Sequence, residues 1–498
     1  MSPAITPLAA NPPAIDTSAT AFMIICAALV LLMTPGLALF YGGMTRAKSV
    51  LNMMMMSFGA MGVAGVVYVL WGYSMSFGGS DIGGIFANPF DKFGLRGVAS
   101  TVEGVTGTVG ADGMPVIDVF GADVFIPEVL FAGFQLTFAI ITVALISGAI
   151  ADRAKFSTWL VFCAIWLTVV YFPIAHMVWG GGLLSGAETS VASWLFGSTD
   201  GAATIAPIDF AGGTVVHINA GIAGLVLALV VGKRLGFGKT AMRPHNVPLV
   251  MIGAGLLWFG WFGFNAGSAL VTNDGDTQLA AVAFLNTLLA GGAALLGWIG
   301  YEKLRHGAST TLGAASGIVA GLVAITPAAG FVTPLAAIPI GLVAGVLCAT
   351  CLGLKERLGF DDSLDVVAVH LIGGLWGSLS VGLFATSSVN ALVTDAGLFV
   401  GGGAKLLGVQ AIAAVAALAF SFVGTFIIGK LVGLVMQNRV DVETEITGLD
   451  QAMHSETAYE FTSNSQGAHR SGPLGQGAAS LPGAPAAETI TVTKEEAR

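Results

Sequence analysis

The chain has 498 residues, 55% of them apolar and only 10% charged, with a mean hydropathy of +0.84 and a net charge of −9. A soluble domain carries about 25% charge, so this composition excludes a soluble multidomain protein. Nine acids against four bases from Met436 onward hold about half of the negative excess, and no basic patch interleaved with aromatics is offered to nucleic acid.

Residues 1–18 lack the basic region of a signal peptide, and the first apolar run is too long for a signal core. That run therefore reads as a retained span behind a short extracytoplasmic segment. Eleven apolar runs follow one another at 19–41, 50–77, 124–150, 157–178, 209–232, 247–270, 279–300, 308–327, 334–354, 366–384 and 404–435. Each is close to the roughly 20 residues that cross about 30 Å of hydrocarbon, so the expected fold is an all-α polytopic membrane protein with eleven transmembrane helices. The 70 glycines fit close helix packing in lipid. Cys26, Cys163, Cys348 and Cys351 all lie inside apolar runs and read as small buried side chains, the Cys348-x-x-Cys351 spacing included.

Alternate connections differ in charge. Five of them hold twelve bases, from Arg46 and Lys48 through Arg153, Lys155, Lys233, Arg234, Lys239, Arg243, Lys303 and Arg305 to Lys355 and Arg357. The opposite set holds Lys92, Arg96 and the border residue Lys405. The positive-inside rule puts the N-terminus outside and the tail in the cytoplasm. The long outer connections 78–123 and 180–208 are Gly-, Asp- and small-residue-rich and read as irregular, and the tail beyond about Phe461 reads as disordered.

Segment 5 opens Asp209-Phe-Ala-Gly-Gly-Thr-Val-Val-His217, and segment 10 follows Asp361, Asp362 and Asp365 and carries His370. If segments 1–5 and 6–10 are repeats, the histidines correspond, and an odd number of spans per repeat requires the halves to be inverted, with a site between them. Buried polar groups in a membrane need a reason. Gly213 and Gly221 share a face with His217, and Gly373, Gly374 and Gly377 with His370, leaving space for a neighbouring helix, a ligand or a solute. Neutral imidazoles suit a small polar neutral solute; such a pair also suits a metal or haem. Phe134 and Phe138 share a face of segment 3, and Trp261, Phe264 and Ser268 one of segment 6. With Trp179 at the end of segment 4 they are either packing and interfacial residues or an aromatic cage for a cation. Asp209 reads equally as a helix N-cap and as an ion ligand or proton acceptor.

These motifs, with Pro35-Gly-Leu-Ala-Leu-Phe-Tyr-Gly-Gly, Phe134-Gln-Leu-Thr-Phe138-Ala and Trp261-Phe-Gly-Phe264-Asn-Ala-Gly-Ser268, resemble the ammonium transporter (Amt/Mep/Rh) family, bacterial Amt branch, over about residues 19–460. The resemblance implies a transporter and not an enzyme, with no cofactor or metal: a homotrimer in the bacterial inner membrane with one pore per subunit. By it, Phe134, Phe138, Trp179 and Ser268 match the outer recruitment site for ammonium or methylammonium. Phe138 and Phe264 match the gate, His217, His370 and Trp261 the pore, and Asp209 the support of the recruitment site. Gly448-Leu-Asp450, His454, Glu456 and Ala458-Tyr459 resemble a regulatory C-terminus (436–498) beside a surface where PII-type proteins dock. The two long outer connections depart from typical bacterial members, which puts the shape of the outer vestibule in question.

Overall fold

The computed structural model describes residues 13–100, 108–119, 123–271 and 278–459. Every apolar segment is a helix: α1 Thr17–Met44, α2 Val50–Phe77, α3 Glu128–Ile150, α4 Phe156–Trp179, α5 Gly213–Val231, α6 Val247–Gly267, α7 Leu279–His306, α8 Thr311–Ile325, α9 Pro334–Leu358, α10 Val367–Phe384 and α11 Lys405–Val435. Helices satisfy their own backbone groups, which lipid cannot do. Among the described residues ten are long and apolar enough to cross a membrane; α8, with 15 residues, is the shorter one. At 1.5 Å per residue it reaches about 22 Å, and a non-helical turn from 326 to 333 continues its path.

Starts are marked by side chains that take orphan amides. Asp16 accepts from Ala19 at 2.8 Å before α1, Asn246 from Leu249 at 2.9 Å before α6, and Thr310 from Gly313 at 2.8 Å before α8. Glycine lets backbones meet. A Cβ on Gly43 would lie 2.7 Å from the Asn246 carbonyl and one on Gly263 2.7 Å from that of Cys26, which brings α1 against α6.

Two observations depart from the sequence reading. The expectation of an all-α chain gives way to a mostly helical one, because the connections 78–123 and 180–208, and the first residues of the run 124–150, hold short antiparallel pairings. These are β1 Asp81–Ile82 with β2 Phe86–Ala87, β3 Thr108–Val109 with β4 Pro115–Asp118 and β5 Phe125–Pro127, and β6 Ser198–Thr199 with β7 Ala202–Ala203. Strands of two to four residues carry too little alternation to be read from sequence. Secondly, four spans contain a π turn: Tyr68–Gly72 in α2, Leu167–Tyr171 in α4, Gly213–Ile218 opening α5 and Val367–Ile372 opening α10. Such turns mark functional sites often, and both pore-candidate histidines sit in one.

The two ends of the bundle differ. One carries the strands and is called the hairpin face here; the other carries the basic connections. On that basic face Lys303 and Arg305, expected in a loop, occupy the last turn of α7, where cations suit the helix dipole. Arg153 and Arg234 are buried there. Arg153 donates to the carbonyls of Ala149, Ala151, Gly232 and Asp361 and to Ser363 Oγ, while Arg234 grips Asp361 through Nη2 at 2.8 Å and Nε at 3.0 Å. After α11, α12 (Val442–Thr447) and α13 (Leu449–His454) return to the basic face. Glu445 pairs with Arg439 and accepts from the Leu235 amide, and Asp450 accepts from the amides of Leu51 and Asn52 that start α2. Residues to Ala458 belong to one compact unit and Tyr459–Arg498 to a second; the expectation of disorder beyond 461 falls outside the described residues.

Candidate functional site

Asp209 precedes α5 by four residues, and Gly212, at φ 111°, bends the chain back over it. That backbone is open to glycine and strained for other residues. The bend lets both carboxylate oxygens accept amides, Oδ1 from Gly212 (3.0 Å) and Gly213 (2.6 Å), Oδ2 from Thr214 (2.9 Å) and Val215 (3.0 Å). All the donors that open α5 are thereby taken. Trp179 Nε1–H donates to the Asp209 carbonyl at 2.8 Å, so one residue holds both the helix start and the indole. Of the two sequence readings for Asp209, the geometry favours the cap.

On the hairpin face a cavity of about 290 Å³ is lined by Phe134, Phe138, Trp179 and Ser268, all four candidates for the recruitment site. Phe134 and Phe138 meet edge to face at 4.9 Å between centroids, and Phe138 stands at 88° to Trp179 at 5.8 Å. Ser268 Oγ–H donates to the Phe264 carbonyl at 2.8 Å, leaving its lone pairs for a donor in the cavity. At the floor, Phe138 and Phe264 stack at 4.2 Å.

Beneath that stack lies a second cavity of about 10 Å³, lined by His217, His370, Trp261, Phe264 and apolar side chains of α1, α3, α6 and α8. It has room for about one water-sized molecule. The imidazoles of His217 and His370 lie at 20° with centroids 5.4 Å apart, and their Nδ1 atoms are 3.3 Å apart. One Nδ1 donates and the other accepts, so the rings hold opposite roles at the shared contact. His217 stacks on Trp261 at 5.4 Å, and the indole Nε1–H is taken by Thr326 Oγ1 at 2.8 Å. His217 Nε2 is buried without a partner in the protein. The two rings already meet at Nδ1, 3.3 Å apart, so this arrangement holds no gap for a porphyrin plane between them. Among the described residues no three metal-ligating side chains come together.

The glycines beside the histidines resolve to one of the three possibilities read from sequence. A Cβ on Gly213 would lie 2.6 Å from Pro327, one on Gly374 3.1 Å from His217 Cβ, and one on Gly221 would strike the Leu371 backbone. They make room for neighbouring segments, and that closeness is what brings the two imidazoles together. Sequence reasoning missed the apolar wall, including Met33, Leu37, Phe40, Ile141 and Val319, and the cavity residues Gln135 and Asp118. Nothing in an apolar helix distinguishes a pore-facing leucine from a packed one. Arg153 and Arg234 were counted only as charges; beyond Ala149 and Ala151, which are local to Arg153, partners such as Gly232, Asp361 and Ser363 lie 79 to 210 residues away, beyond any local pattern.

A family model described as the Ammonium Transporter Family matches residues 21–459. An ammonium transporter of Mycobacterium tuberculosis is 51% identical over 454 residues, covering 90% of this chain and 91% of its own length. One from Bacillus subtilis is 46% identical over 444 residues, covering 89% and 98%. The crystal structure of Candida albicans Mep2 is similar at a TM-score of 0.71 and 31% identity, over 86% of this chain and 87% of that one.

Proposed function

The chain belongs to the ammonium transporter family, and we propose that it recruits ammonium in the aromatic cavity, removes a proton, and passes ammonia along the histidine-lined path while the proton moves separately. The observation that carries this reading is the unbroken series of cage, stacked phenylalanines and paired imidazoles. A cation over indole and phenyl faces is attracted by about 0.5–2 kcal/mol, and the free lone pairs of Ser268 accept an N–H that potassium or sodium lacks. Below the Phe138–Phe264 stack an ion would lose its hydration in an apolar cavity, a penalty of several kcal/mol. A neutral amine escapes most of that cost and meets the unpartnered His217 Nε2. Phe138 and Phe264 must part for passage, which makes them the gate, with Trp261 as pore wall and Asp209 as support of the cage.

The finer architecture follows the same reading: eleven spans, with α8 the short one, and two inverted halves. Supporting the repeat, α5 and α10 both open in a π turn behind an aspartate that accepts backbone amides, Asp209 from the hairpin face and Asp362 (to Val367, 2.7 Å) from the basic face. The twelve bases support a cytoplasmic basic face, an outer N-terminus and an inner-membrane location. A homotrimer, and a regulatory tail at a surface read by a PII-type protein, complete the proposal.

The test is current measurement on reconstituted protein on a solid-supported membrane. An ammonium-dependent current that Phe138→Ala or Trp179→Ala diminishes is expected. Neutral transport, with uptake but no current, would overturn the separated proton.

A further inference from the structure

We propose that His176, in its doubly protonated form, is a positioning residue for ammonium capture: bridged between Ser76 and Asp81, it locks the end of α4 so that Trp179 stands over the recruitment cavity. The proposal rests on the reading of Trp179 as part of that cavity.

His176 is 1% exposed, one helical turn before Trp179. Its Nδ1 lies 3.1 Å from the Ser76 carbonyl and its Nε2 2.8 Å from Asp81 Oδ1. Both neighbours are acceptors. The Ser76 carbonyl sits in the last turn of α2, where the chain provides no helical donor, because the Ser80 amide bonds Asp91 instead at 2.9 Å. Asp81 already accepts the Gly84 amide at both oxygens, 3.0 and 2.9 Å, and its side chain is half exposed. A neutral imidazole has one N–H and satisfies one of these acceptors; only the imidazolium satisfies both. The negative end of the α2 dipole favours the same charge. The approach is built: a Cβ on Gly180 would lie 2.6 Å from His176 Nδ1 and against the Ser76 carbonyl, so only glycine admits the contact.

The charged groups on the neighbouring elements are engaged elsewhere: Asp91 takes the Ser80 amide, Asp209 caps α5, and Lys92 pairs with Glu128 beside Tyr73. β2 contributes Phe86 and Ala87, and residues 180–184 are Gly-Gly-Gly-Leu-Leu. The π turn of α5 carries His217, whose ring faces Trp261 and His370 instead. Through the bridge, the outer hairpin β1–β2 and the end of α2 hold the last turn of α4. Trp179 is tied at one further point, the Asp209 carbonyl. Losing the bridge leaves the indole held by that hydrogen bond and its edge contact with Phe138, which weakens capture without touching the pore.

Concentration-dependent methylammonium uptake by reconstituted protein tests this with Asp81→Asn and His176→Gln. Asp81→Asn alters a half-exposed side chain and is chosen for safe folding. Both variants are expected to raise KM roughly threefold to tenfold, the scale of one hydrogen bond, with the maximal rate retained. Solid-state nitrogen NMR of histidine-labelled protein, with the His176 signals assigned by their loss in His176→Gln, is expected to show both ring nitrogens protonated at about pH 6. An Asp81→Asn protein with unchanged KM would overturn the proposal, as would a singly protonated His176 signal. Wild-type protein that takes up no methylammonium would instead refute the transport reading.

Discussion

Asp361 and Asp362 are neighbours in sequence with opposite electrostatics. Burial works against ionisation of Asp361, but the guanidinium groups of Arg234 and Arg153 hold its carboxyl below the ordinary value. Burial raises Asp362 to about 6, with the Asp365 charge adding to it. The consequences for stability have opposite signs. Asp361 stabilises the fold above the ordinary carboxylate value, and this is lost as pH falls through its depressed one. Asp362 holds a proton in the fold that the unfolded chain has released, so its contribution declines as pH rises from 3.8 to about 6. Asp361→Ala leaves the buried Arg234 with only Asp152, at 3.4 Å, as a carboxylate partner and is expected to cost about 3–5 kcal/mol, read as a fall in thermal midpoint in detergent. Asp362→Asn is expected to flatten the decline between about pH 4 and pH 6, measured by thermal unfolding against pH.

Asp209 supports a further prediction at this scale. Removing its carboxylate orphans four amides at once. Asp209→Ala should therefore destabilise by more than the roughly 1 kcal/mol of an ordinary cap. Asp209→Asn, which keeps one acceptor oxygen, should fall between alanine and wild type in the same unfolding measurement. The residue type and its place before the helix were legible in the sequence. That one carboxylate takes four amides was not, because it depends on the left-handed turn at Gly212.

At the scale of elements, the spans were legible because lipid imposes a length and a composition on each helix, whatever it packs against. Their boundaries agree with the apolar runs closely, as at Val50–Phe77 and Lys405–Val435. The π turns were not legible. They arise where two helices compete for space, as where Gly72 of α2 meets the Phe172 ring that follows the π turn of α4. The contact of α5 with α10 is the most exposed to substitution. Gly221→Ala pushes a methyl into the Leu371 backbone, an overpacking cost of about 1–3 kcal/mol. It is expected to separate His217 from His370, seen as lost uptake in protein that still inserts. The tail gives a gentler case. Glu445→Gln removes the charge that holds Arg439 and weakens the acceptor of the Leu235 amide, so limited proteolysis between α11 and α12 should accelerate several-fold.

For the whole molecule, much apolar surface faces outward, including Ile24, Ile25, Ile252 and Phe259 on α1 and α6 and Leu296 and Leu335 on α7 and α9. Lipid covers such surface, and so does a second subunit. Native mass spectrometry in detergent is expected to give three times the 50.5 kDa chain mass; a monomer alone would remove the trimer from the proposal.

The sequence by itself determined a membrane protein, its helices, the charge difference between its two faces, and the residue types of the candidate site. Each of these follows from local composition, since one stretch of chain meets lipid or water largely independently of the rest. Tertiary structure decided what depends on distance between segments. It brought His217 to His370 across 153 residues and closed the cavity with Phe138 against Phe264. It seated Arg153 and Arg234 among carbonyls and carboxylates, and set His176 between two acceptors. Hydrogen bonds and ring contacts act over a few ångströms, and only packing brings such remote groups within that range.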